Sequence, residues 1–236
     1  MLLPKKISPN PLVISTVELR YSSTLDESSL LSKILPCFLE DFPKFTPNPI
    51  DKQIRKANEQ FKFSPDYTLQ NNDYSLSIGS NVITFENVGE YQLWSNYFQV
   101  IKKQLSKFFS LNIIQDISRI GVRYASILED KTNIENCLKY SPSFSIDGFT
   151  DNYLQYRSEF KKGEISLHLN IVKNAKVERN TTSRIGTLID IDASYFGSLK
   201  SDTKTFDVID KLHTEEKHFF FNLLTVEYMN QLNPEF

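Results

Sequence analysis

Twice in this chain a strand-like segment carrying an arginine–tyrosine pair opens a run of elements in the same order. Residues 18–23 read Glu-Leu-Arg-Tyr-Ser-Ser and residues 121–126 read Gly-Val-Arg-Tyr-Ala-Ser, which aligns Arg20 with Arg123, Tyr21 with Tyr124 and Ser23 with Ser126. Around the first pair, Val13, Val17, Leu19 and Tyr21 alternate with Thr16, Glu18 and Arg20, the period-2 pattern of a half-buried strand over 12–22. Asp26 and Ser28 offer N-caps for a short helix around 30–39 that Pro36 interrupts. Prolines 43, 47 and 49 predict an irregular surface connection. Three strand-like runs separated by turn residues follow between Phe61 and Val88. Leu93, Trp94, Tyr97, Phe98, Ile101, Leu105, Phe108 and Phe109 then recur at three- and four-residue steps, predicting an amphipathic helix over 91–109.

The second run repeats this order: a strand over 117–128, a weak helical segment over 133–139, three strands over 152–160, 164–172 and 186–194, and a long helix over 206–232. The expected fold is therefore a single α+β domain over 1–236. Its halves, about 10–112 and 113–236, would be duplicated and related by a pseudo-twofold, with long helices on one face of a curved antiparallel sheet.

Composition narrows the chemistry. All seven glycines stand alone, and a phosphate-cradling loop needs clustered glycine so that backbone can approach the ligand. P-loop, dinucleotide-binding and kinase glycine-rich motifs are thereby excluded. Two cysteines, Cys37 and Cys137, make neither a CxxC pair nor a disulfide scaffold, which suits a reducing compartment. The proline-broken start predicts no signal peptide, no stretch reaches the length of a membrane span, and the expected location is the cytoplasm. The formal net charge is -2, with 12 basic against 11 acidic residues up to Asn112 and 15 against 18 beyond it. Neither half is a basic arm that would hold nucleic acid by bulk electrostatics.

The segments NPLVISTVELRY, YQLWSNYFQVI, ISRIGVRYASIL, LIDIDAS and LHTEEKHFFFNLLT span most of the chain. Together they resemble a sporadically distributed family of uncharacterised bacterial proteins of about 250 residues, marked by an R-I-G-L-R-Y strand. Here that strand reads Arg119-Ile120-Gly121-Val122-Arg123-Tyr124, with Val122 in place of the family's leucine and Ala125-Ser126 where Ile-Asn is usual. The resemblance implies no catalytic residues. Its patchy occurrence is similar to that of genes travelling with anti-phage defence or toxin–antitoxin loci.

Strand alternation defines the candidate site. Turning Ile120, Val122, Tyr124, Ile165, Leu167, Leu169, Ile171, Ile189, Ile191 and Ala193 toward the helices leaves a polar set on the other side. That set comprises Glu18, Arg20, Arg119, Arg123, His168, Asp190 and Asp192, with Gly121 between two arginines where a missing side chain admits a close neighbour. Asp190 and Asp192, with Glu164 and His168, have ligand types suited to a hard cation. An alternating Ile-Asp-Ile-Asp is equally what a half-exposed strand shows, and opposite charges stabilise a sheet as cross-strand pairs, so no metal and no cofactor are assigned. His213 and His218 lie five apart, about 140° out of alignment on a helix, and are not a ligand pair. Glu215 and Glu216 are expected in solvent, and the Phe219–Leu224 cluster in the core. No nucleophile–base signature is present and no catalytic residue is assigned. The expected function is a non-enzymatic binding or regulatory module for a protein partner or a second copy of itself. The alternative is a nucleic-acid or nucleotide-binding protein using Arg20, Arg119 and Arg123 as phosphate contacts.

Overall fold

The computed structural model describes residues 2–129, 134–140, 147, 153–179, 182–200 and 203–236. Nine strands hydrogen-bond in the order β2-β3-β4-β5-β1-β6-β9-β8-β7, with α-helices joining them, so the chain is of mixed α+β class. The strands are β1 (Leu12–Ser23), β2 (Lys44–Pro47), β3 (Tyr67–Gln70), β4 (Tyr74–Ile78), β5 (Val82–Asn87), β6 (Ile114–Leu128), β7 (Gln155–Lys162), β8 (Ile165–Arg179) and β9 (Thr182–Leu199). The helices are α1 (Glu27–Ile34), α2 (Lys52–Ala57), α3 (Leu93–Ser110), α4 (Ile134–Cys137), α5 (Thr203–Leu223) and α6 (Val226–Gln231). Two compact units are formed: one from Met1–Ser15, Arg123–Ala193 and Leu212–Phe236, the other from Thr16–Val122 and Ser194–Lys211.

In the second of these units, β1 and β5 pair antiparallel with Val17 opposite Phe85 and Leu19 opposite Ile83. Val17, Leu19 and Tyr21 are buried, as the alternation of the segment predicts. The aromatic stripe of α3 covers this apolar face. Tyr97 is fully buried, stacks on Tyr74 at 5.6 Å between ring centres, and donates its hydroxyl to the Phe85 carbonyl at 2.9 Å. Phe108 meets Tyr21 edge-on at 5.1 Å. A buried side chain of this size contributes about 1.5–3 kcal/mol through lost apolar hydration, and Tyr97 keeps that gain because its one polar atom is satisfied. Asp26 caps α1 by accepting from the Ser28 and Ser29 amides, both at 3.1 Å. The helix gives way to a 3-10 turn over Leu35–Cys37, where Pro36 lacks the amide that an α-helix requires.

Residues 44–57 correct the expectation of an irregular connection. Lys44–Pro47 pairs antiparallel with β3, Lys44 opposite Gln70 and Pro47 opposite Tyr67, and Asp51 caps α2 through the Gln53 amide. Proline is compatible with an edge strand because its missing donor can face away from the ladder. Phe45 stacking on Tyr67 at 5.0 Å holds the pairing.

In the first unit, Val13, Ala125 and Ile127 are buried together with Ala175, Val177 and Leu188 packed against them. Strand β8 pairs with β7 across a tight turn at Gly163, whose φ of 59° is the left-handed conformation that glycine adopts without strain. The long terminal helix expected over 206–232 is broken. Leu224 bridges to Leu138, the Thr225 amide donates to the Cys137 carbonyl at 2.9 Å, and the Thr225 hydroxyl caps α6 by accepting from the Tyr228 amide. Phe220, Phe221 and Leu224 are buried, as expected of that cluster.

Candidate binding face

The residues singled out from the sequence fall into two groups, one in each unit. In the unit containing Thr16–Val122, Glu18 lies on β1 beside Arg119 on β6. One Glu18 carboxylate oxygen accepts from Arg20 Nε at 2.8 Å and from Arg119 Nη1 at 2.7 Å. The Arg20 guanidinium lies 4.0 Å from the centre of the Phe63 ring, and that of Arg119 lies 5.7 Å from the Phe196 ring. Gly121 explains how Arg119 fits: a Cβ at residue 121 would collide with the guanidinium. Arg119 is thus folded back along its own strand and buried, whereas alternation alone leaves it as a surface arginine. Both guanidinium groups converge on the same Glu18 oxygen while lying against aromatic rings.

In the other unit, Arg123 grips Asp190 with two parallel bonds, Nε to Oδ1 and Nη2 to Oδ2, both at 2.8 Å. The planar fork of arginine matches a carboxylate in this bidentate geometry, which fixes both side chains. This pair lines an open groove of about 460 Å³ with Asp192, His168, Asn170, Leu169, Arg157, Ser158 and Glu159. The lining carries both signs. On β7 and β8 the register sets Arg157 opposite Asn170 and Glu159 opposite His168, so these four share one face, and β9 adds Asp190 and Asp192. Arg157 and Glu159 escaped the sequence reading. Their signal is the polar alternation of Gln155-Tyr156-Arg157-Ser158-Glu159, which becomes decisive only once the strand is paired with β8.

Asp190 and Asp192 share this groove with His168, but both Asp190 oxygens are occupied by Arg123. Among the described residues no group of three or more histidine, cysteine or acidic side chains is arranged to hold a metal ion. No helix among them is long and apolar enough to cross a membrane.

One ionisable group contradicts its expected place. Glu216, expected in solvent, is buried on α5, and burial pushes its carboxyl well above the usual carboxylate range. His213, one turn earlier, is buried with its ring 5.5 Å from that of Tyr124, and burial pulls its pKa down to about 3. Glu215 is half-buried, and Lys162 donates to it at 2.7 Å. An acidic residue inside the apolar stripe of a helix is invisible to periodicity when Thr214, Glu215 and Lys217 surround it with polar neighbours.

No protein-family model matches the chain, and no curated protein sequence matches it.

Proposed function

We propose that this chain is a non-enzymatic binding module of the cytoplasm that engages a protein partner through the polar faces of its strands. The observation that carries this reading is the mixed-charge lining of the groove: Arg123 and Arg157 share an open cleft with Glu159, Asp190 and Asp192, and His168 stands among them. A cleft of mixed sign complements a surface that itself carries both signs, and charge patterns of this kind set specificity and register more than affinity. A polyphosphate backbone would meet three carboxylates against two arginines. The sequence resemblance adds that the duplicated halves belong to that sporadically distributed bacterial family and that the partner acts in a defence or toxin–antitoxin-like system. The order strand, helix, three strands, helix runs from β6 to α5 and, with β2 and α2 inserted, from β1 to α3, which is in line with the duplication.

The test is affinity capture on the immobilised full chain, with nuclease-treated and untreated extract. The expected result is one set of proteins retained by wild type after nuclease treatment and lost with His168→Glu or Asp192→Lys. Retention of nucleic acid with a steep dependence on salt, and of nothing after nuclease treatment, favours the phosphate-binding alternative through Arg20, Arg119 and Arg123 and overturns the protein-partner reading.

A further inference from the structure

The two ends of the strand order differ in a way that matters for association. At one end β2 has four residues and ends in Pro47, which blunts the edge. At the other end β7 has eight residues without proline, all but Ser158 exposed. Among the described residues, β7 pairs with β8 on one side and with nothing on the other. Tyr156 and Phe160 remain 37% and 39% exposed on one face of it. On the other face Arg157 makes no ion pair among the described residues: its Nε and Nη2 donate to the Gln155 side-chain oxygen at 2.9 and 2.7 Å and it lies 3.4 Å from Asn170, while Glu159 meets only Lys161 at 3.5 Å.

We propose that two copies of this chain pair edge to edge along β7, antiparallel, about a twofold axis through Ser158. Residues directly opposed in an antiparallel ladder share a face, so the axis must pass through a residue and not between two. An axis at 157 sets Arg157 against itself, and one at 159 sets Glu159 against itself. An axis at 160 pairs only five residues of the strand. The axis at 158 pairs seven, placing Arg157 opposite Glu159 of the second copy twice, Tyr156 opposite Phe160 twice, and Gln155 opposite Lys161 twice. Both charged faces and both aromatic faces are matched by the same register, which is the self-complementarity that an isologous interface demands. Cross-strand ion pairs and aromatic pairs of this kind stabilise a sheet, and the added ladder satisfies the backbone groups of an otherwise open edge. The inference concerns the strand edge and does not rest on the groove having a partner.

Analytical ultracentrifugation of the full chain over a concentration series tests it. Wild type is expected to sediment as a concentration-dependent dimer. Arg157→Glu, which sets glutamate against Glu159, is expected to shift the dissociation constant at least tenfold toward monomer. The swap Arg157→Glu with Glu159→Arg is expected to restore the dimer. Circular dichroism confirms that each variant retains its fold. Ser158→Cys, in a background lacking the native cysteines, is expected to form a covalent dimer on mild oxidation, whereas Lys162→Cys, off the axis, does not. A wild-type monomer throughout the series, a heterologous protein strand on this edge in place of a second copy, or a dimer indifferent to Arg157→Glu overturns the proposal.

Discussion

The Arg119 guanidinium occupies the space that a side chain at Gly121 would fill, two residues along the same strand. It stays there because Glu18 accepts from it at 2.7 Å. The glycine therefore works through its neighbour: it clears a path for a folded-back arginine that is almost wholly withdrawn from water.

Gly121→Ala is expected to displace that arginine and cost about 1–2 kcal/mol, mostly as a lost charge-assisted bond, since the arginine end can swing aside without backbone strain. A double-mutant cycle with Glu18→Gln checks it by chemical denaturation. If the loss runs through the ion pair, the two costs are far from additive.

Glu18 also engages both arginines. Wild type is expected to bind a polyanion such as heparin weakly at moderate salt, and Glu18→Gln to strengthen it several-fold by releasing Arg20 and Arg119. Elution salt from a heparin column reads this directly. Equal elution of the two proteins would mean that Glu18 does not govern these cations.

The Arg123–Asp190 pair is unequal in burial, with side chains 46% and 15% exposed. Removing Arg123 strips a largely buried carboxylate of its bidentate donor, whereas removing Asp190 leaves a cation that water can hydrate. Arg123→Ala is expected to cost about 1–2 kcal/mol and Asp190→Ala less than about 1, the ion-pair share shrinking as salt is raised. Urea midpoints at two ionic strengths measure both.

Stability against pH should show the two buried groups of α5 pulling in opposite directions. The folded carboxyl of Glu216 titrates above its ordinary value of 4.5, so its contribution is full below pH 4.5 and declines as pH rises toward the folded value. His213 titrates at about 3 when folded against 6.5 unfolded, so its contribution is full above pH 6.5 and declines as pH falls toward 3. Glu216→Gln is expected to stabilise the protein at pH 8 by more than about 1 kcal/mol, with the gain vanishing toward pH 4.5. Thermal melts of both proteins across that range check it. A gain equal at both ends would mean that ionisation of Glu216 plays no part.

Asp41 adds a lower acid limb. It accepts from Lys107 at 2.5 Å, Lys103 at 2.9 Å and Gln104 at 2.8 Å, and the lysine hydrogen bonds hold its carboxyl well below the usual range. Its stabilisation is present above pH 3.8 and is lost below it, so Asp41→Asn should flatten the stability profile under pH 4 and lower stability at pH 7. Since Asp41 is partly exposed, the loss at pH 7 is expected to be only about 1 kcal/mol.

The sequence by itself determined much of the apolar core. Val17, Leu19 and Tyr21 on β1, Ile189, Ile191 and Ala193 on β9, and Tyr97, Ile101, Leu105 and Phe108 on α3 are buried where periodicity puts them, because a strand repeats every two residues and a helix every 3.6 wherever it sits. It also determined that Gly121 admits a close neighbour. Only the tertiary structure decided which neighbour, since the choice between a partner and Arg119 depends on Glu18, a hundred residues away on an adjacent strand. The same limit hid β2, whose Pro47 forbids a central strand but not an edge, and the helix break at Leu224, which Leu138 sets from a distant segment. It hid the burial of Glu216 among polar neighbours on α5. It also hid the groove: Arg157 and Glu159 acquire meaning only when the register with β8 lines them up beside His168, Asp190 and Asp192. Alternation is a local property of the chain, whereas pairing, burial of charge and the face opposite a strand are fixed by contacts between residues far apart in sequence.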